Sequence, residues 1–156
     1  MSRPVLHEPN EQLRIKSDAV SDDRIVTPEM KLLIEELKET MALENGVGIA
    51  APQIGVHDRV IIAETDGRPV AYINPEITER SFRMVDSEEG CLSVPGCWGI
   101  VKRHRSVGVK ATTETGEKIG IKAQGLLAII FQHEIDHLDG ILFIDRAEKI
   151  HKASAL

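Results

Sequence analysis

Large aromatic side chains are scarce in this sequence: three Phe, one Tyr and one Trp among 156 residues, 3% in all. An interior built from it has to be filled by Leu, Ile, Val and Ala. Cysteine is almost absent too. Two thiols, Cys91 and Cys97, exclude a disulfide scaffold at this length and suit a reduced compartment. No apolar run reaches the ~20 residues needed to cross a bilayer. The longest, around residues 126–131, falls far short, and the start Met1-Ser2-Arg3-Pro4 leads into polar sequence, unlike a secretory signal. Positive charge is also in deficit. Nineteen Lys and Arg face 25 Asp and Glu, a formal net charge of -6, which argues against nucleic-acid binding by bulk charge. One local basic segment, Lys102-Arg103-His104-Arg105, reads first as a solvated strand end or loop. What is present, 42% hydrophobic and 28% charged residues, is the composition of a soluble globular protein. The length fits one domain over residues 1–156. The expectation is a cytoplasmic protein with no membrane partner and no direct nucleic-acid specificity.

The first 26 residues read as an extended arm with one short helical turn. Thr27-Pro28-Glu29 then opens a helix: Thr27 suits the cap and Pro28 the first helical position. Met30, Leu33, Ile34, Leu37 and Met41 recur at helical spacing, and Asn45-Gly46 closes the element. Residues 59–64 and 70–73 flank Asp66-Gly67 as a hairpin, with Asn74-Pro75 breaking the return strand. Residues 106–111 and 117–123 form a second hairpin, and Gly96 and Gly99 mark a loop before it. From residue 124 to about 139 the pattern is helical again, with Gly140 as the stop. This helix is apolar on most sides, so it should be buried. The expected fold class is α+β, with short antiparallel strands and hairpins packed around that central helix.

The helix carries His133-Glu134-Ile135-Asp136-His137. A spacing of four returns to nearly the same face one turn on, so both imidazoles can grip one ion while Glu134 reaches water beside it. Catalytic zinc or iron sites usually take three protein ligands and keep one position open. Candidates for the third are His7, His57, His104, His151, Cys91, Cys97 and the carboxylates. Downstream, only His151 and acids such as Asp145 and Glu148 are available. Cys91 is the better candidate: it lies in the constrained stretch Glu89-Gly90-Cys91-Leu92-Ser93, and a thiolate completes a Cys-His-His set. A third segment, Gly46-Val47-Gly48-Ile49-Ala50-Ala51-Pro52-Gln53, has small residues that admit a close neighbour. Its Gln53 amide could donate to a developing oxyanion. Taken alone, the helix motif also fits a zincin-type metallopeptidase.

Together and in order, the three segments at residues 46–53, 89–93 and 133–137 resemble the peptide deformylase family. That family is known by a Gly-x-Gly-hydrophobic-Ala-Ala-x-Gln stretch, a Glu-Gly-Cys-hydrophobic-Ser stretch and a His-Glu-hydrophobic-Asp-His helix. The resemblance implies a metal-dependent hydrolase that removes the formyl group from the N-terminal formylmethionine of newly made proteins, releasing formate. It implies one divalent metal ion, commonly Fe²⁺ in the cell, with Zn²⁺, Ni²⁺ or Co²⁺ able to occupy the site. By position, Cys91, His133 and His137 are the ligands and Glu134 the catalytic acid and base. Gln53 and the backbone N–H of Leu92 hold the carbonyl oxygen as it becomes an oxyanion. Val47, Gly48, Leu126, Ile129 and Ile130 form the pocket for the methionine side chain. Glu89 orients a ligand. Asp136 either does the same or pairs with Arg103. The partners implied are N-formylmethionyl nascent peptides and the ribosome near its exit tunnel. The chain departs from the family pattern at Trp98, where many bacterial members carry arginine. Its tail, residues 145–156, is short and carries only Arg146, Lys149 and Lys152 as cations.

Overall fold

A computed structural model describes residues 1–152. Two short turns stand in the N-terminal arm instead of one: a 3₁₀ turn, Glu11–Arg14, and a single-turn helix α1, Asp22–Ile25. Helix α2 spans Pro28–Leu43, and the Thr27 hydroxyl accepts from the Met30 amide. All five apolar positions assigned to its inner face are buried.

Five antiparallel strands form the main sheet in the order β1-β2-β3-β6-β7. They are β1 (Gly48–Ala50), β2 (Val60–Thr65), β3 (Arg68–Arg80), β6 (Ser106–Thr112) and β7 (Lys118–Gln124). Successive side chains of a strand face opposite sides. In β2, Val60 and Ile62 therefore join Leu33, Leu37 and Met41 of α2, while Ile61 and Ala63 join the layer of helix α3 (Gly125–Leu138) on the other side. The main sheet is thus a filling between two helices. Tyr72 meets Phe131 of α3 edge-on at 4.9 Å, so two of the few aromatics lock sheet to helix.

A second sheet, in the order β4-β5-β8, consists of β4 (Met84–Cys91), β5 (Val94–His104) and β8 (Ile150–Lys152). It packs on a smaller apolar cluster of Leu13, Val94, Val101, Leu142 and Phe143, the last at the start of helix α4 (Phe143–Arg146). The α+β class and the buried helix with antiparallel strands around it are as expected from sequence.

Two local expectations about the strands fail. Asn74-Pro75 does not end a strand: Asn74 takes φ 53° and the β3–β6 register slips between Ile73 and Glu76, so a bulge absorbs the Pro and β3 runs on to Arg80. Gly96 and Gly99 do not mark a loop, because both lie inside β5. At Gly99 an added Cβ would sit 2.4 Å from the Lys149 carbonyl oxygen, and the glycine admits the returning tail. Cys97 is therefore a strand residue, paired with Lys152.

Candidate metal centre

Helix α3 brings His133 and His137 to one face, with ring centroids 5.1 Å apart. The tight β4–β5 hairpin delivers Cys91 to the same point from a distant stretch of chain. The Cys91 sulfur lies 3.2 Å from His137 Nε2, and the three potential ligand atoms all fall within 4.8 Å of one another. This is the group of three His, Cys, Asp or Glu side chains able to hold an ion among the described residues. Of the other third-ligand candidates named above, none joins this cluster.

The surroundings fix the chemistry of these donors. Glu89 is buried, which alone would raise its pKa. Two hydrogen bonds of 2.8 Å from the Arg103 Nε and Nη2 atoms, aided by His133, overcome that and bring it down to about 2. An ionised Glu89 only accepts, so His133 Nδ1 donates to its Oε1 at 2.8 Å. That leaves Nε2 as the His133 nitrogen facing the site. Arg103 also donates to Asp136 at 2.7 Å, and Asp136 in turn accepts from Arg146 at 2.8 Å. Of the two readings of Asp136, the ion pair with Arg103 is the one present. Arg146, in the tail, is a partner that sequence spacing gave no means to assign.

Burial pushes Glu134 up to about 7, although His133 opposes the shift. Its Oε1 has no hydrogen-bond partner among the described residues. Burial lowers His137, as does His133. Burial would lower His133 as well, but Glu134, Cys91 and Glu89 together outweigh it and raise this group. A buried, orphaned carboxylate oxygen and a soft sulfur beside two imidazoles fit a divalent cation.

The cleft beside these groups has a volume of about 460 Å³. Val47, Gly48, Leu126, Ile129 and Ile130 all line it, together with His133 and Glu134. Leu126 and Val47 are exposed apolar residues at 64% and 42%, an arrangement that marks a binding mouth more than a core. Gly48 is required sterically: a Cβ there would stand 2.6 Å from Glu134 Oε2 and 2.9 Å from Ile130. Gln53 sits in a 3₁₀ turn, Ala51–Ile54, fully buried. Its Oε1 accepts from the Ala50 amide at 2.9 Å, and its Nε2 reaches Ser93 Oγ at 3.0 Å and the Cys91 sulfur at 3.7 Å. Ser93 thus ties the Gln53 segment to the Cys91 hairpin, a link hidden by a separation of forty positions. Leu92, next to Cys91, also faces the cleft. Trp98 does not line it. Its ring stacks on His151 of β8 at 4.3 Å and covers the outer sheet.

Residues 2–153 match the model of the family described as Polypeptide deformylase. The chain belongs to that family. A peptide deformylase of Desulforudis audaxviator is 44% identical over 149 residues, covering 95% of both chains. One from Carboxydothermus hydrogenoformans is 51% identical over 125 residues, 80% of this chain and 82% of the relative. Among solved structures, the class I type b peptide deformylase of Acinetobacter baumannii bound to Met-Ala-Ser superposes with a TM-score of 0.91 at 39% identity, covering 94% of this chain and 98% of that one. The Thermotoga maritima peptide deformylase gives 0.91 at 36% identity, covering 96% and 99%. These likenesses support the deformylase family over a zincin peptidase, and metal dependence comes with the family.

Proposed function

We infer that this enzyme hydrolyses the formyl amide of N-formylmethionyl peptides to formate and a free amino terminus, with each site residue in the role assigned by its place in the motifs. The observation that carries this reading is the meeting of Cys91, His133 and His137 beside an unpartnered, buried Glu134 at the end of an apolar cleft. Cys91, His133 and His137 hold one divalent ion, Fe²⁺ in the cell. When bound, that ion supplies Lewis acidity and lowers the pKa of water toward neutrality.

The chain's own groups do the rest. Glu134 Oε1 takes a proton from the attacking water and returns it to the departing amine, a role suited to a carboxyl with a pKa of about 7. Gln53 Nε2 and the Leu92 N–H face the carbonyl oxygen, and such donors each typically lower the barrier by about 2.7–4 kcal/mol. Val47, Leu126, Ile129 and Ile130 receive the unbranched methionine side chain, and Gly48 leaves room for Glu134 and Ile130 beside it. Glu89, backed by Arg103 and Asp136, holds His133 in the ligand tautomer.

Newly made chains are the substrates, and the cytoplasm is the place where they are met. Contact with the ribosome brings enzyme and substrate together. Within the described residues, the tail pairs with β5 as β8 and holds Asp136 through Arg146. Formate release from formyl-Met-Ala-Ser, set beside metal content, tests the reading. One equivalent of metal with formate production supports it. A metal-loaded protein that cleaves internal peptide bonds but spares the formyl group contradicts it.

A further inference from the structure

The turn between β3 and β4 carries Arg80-Ser81-Phe82-Arg83-Met84, and Phe82 stands fully in solvent at 102% exposure. An aromatic ring with no protein neighbour is unusual in a chain with so few. Around it the fold adds to Arg80 and Arg83 cations from two other stretches, at Arg105 and Lys122. The Arg105 amide bonds the Arg83 carbonyl at 3.0 Å, Arg80 pairs with Val107, and Lys122 pairs with Gly108. Arg80, Arg83, Arg105 and Lys122 are all exposed, and none is ion-paired among the described residues, unlike neighbouring Lys102, which pairs with Asp86. Arg80 and Lys122 line a polar recess of about 700 Å³ with Ser81, Ser106, Gln124 and the acid Glu79. In a protein of net charge -6, this corner is a local reversal of sign.

We propose that this corner is a docking surface for single-stranded RNA, with Phe82 as a stacking platform and the four cations on the phosphates. Unpaired bases stack on an exposed aromatic face whatever their sequence, and cations beside it track the backbone. The recess offers hydroxyls and an amide to base edges, whereas an inserting lipid chain would meet mainly polar walls, with only Phe82 and Met84 to insert. The surface lies beyond the Met84 end of β4, and Cys91 is at the other end, so a docked strand leaves the catalytic cleft open. The choice of RNA over DNA rests on the deformylase reading, because newly made chains emerge beside RNA. Deformylation itself does not depend on this surface.

The test is fluorescence anisotropy of the full, metal-loaded enzyme with a labelled single-stranded RNA of mixed sequence. Phe82→Ala should weaken binding roughly fivefold or more. Arg80→Glu with Arg83→Glu should weaken it further and flatten the log–log salt slope by about 1.4. Lys31→Glu, a charge reversal on α2, should leave binding nearly unchanged. Formate release from formyl-Met-Ala-Ser should be the same in all these variants, which also reports that each is folded. Absence of RNA binding, equal loss in Lys31→Glu, or binding to phosphatidylserine vesicles with none to RNA would overturn the proposal.

Discussion

The two sheets of this molecule bury different things. The main sheet, between α2 and α3, buries alternating Val, Ile and Ala on both faces. The outer sheet buries Ser87, Glu89 and Arg103, although Val94 and Val101 of its central strand join a small apolar cluster. The first arrangement draws its free energy from removing apolar area from water. The second keeps charges in a dry setting only because each has a partner, and a broken buried pair is costly. A scaffold and a reaction site are thus built from opposite burial rules, with α3 shared between them: Phe131 faces the first and His133 the second.

Substitutions should separate the two regions. The largest effects belong to the proposed ligands and the proposed base. Cys91→Ser should lose metal and turnover together, while Glu134→Gln should keep the metal and lose about 10²–10⁴-fold or more in kcat, read by formate release and metal analysis. In the scaffold, Phe131→Ala should cost about 3–5 kcal/mol of stability, visible as an earlier denaturant midpoint with the metal stoichiometry unchanged. If Phe131→Ala instead stripped the metal while leaving stability intact, the division between the sheets would fail.

Arg103→Met lies between these extremes. Glu89 would lose the guanidinium that offsets its burial, its carboxyl would rise, and His133 would lose a fixed acceptor. Metal affinity should fall about 10–100-fold in a titration with a competing chelator. The pH dependence follows the same pair. The native pKa of Glu89, about 2, lies below its ordinary value of 4.5, so its contribution to stability is full above 4.5 and is lost as pH falls toward 2. Acid unfolding of the wild type should therefore include a component in that window, which Arg103→Met moves to higher pH. The smallest effect is at the α2 cap: Thr27→Ala should cost about 1 kcal/mol and leave turnover alone.

How much was legible follows the same division. Helix α2 could be read because its five inward residues share one face, and the Asp66-Gly67 hairpin because the turn chemistry is explicit, with both residues at positive φ. Strand β4 could not. Its inward positions Ser87 and Glu89 are as polar as the outward Asp86 and Glu88, so the alternation that marks a half-buried strand is absent. Gly96 and Gly99 resembled loop residues, yet they accommodate a bulged hairpin and a tail strand. The site itself was legible in residue types. Its geometry was not, because Gln53 meets Ser93 and Cys91, and Arg103 meets Glu89, only through tertiary packing.

The coordination of one ion by Cys91, His133 and His137 is the claim on which the rest stands, and cobalt substitution addresses it most directly. Co²⁺-loaded wild-type enzyme and the Cys97→Ser variant should both show a thiolate-to-cobalt charge-transfer band, and Cys91→Ser should not. A band that survives loss of Cys91, or vanishes with Cys97, would place the ion elsewhere and contradict the account.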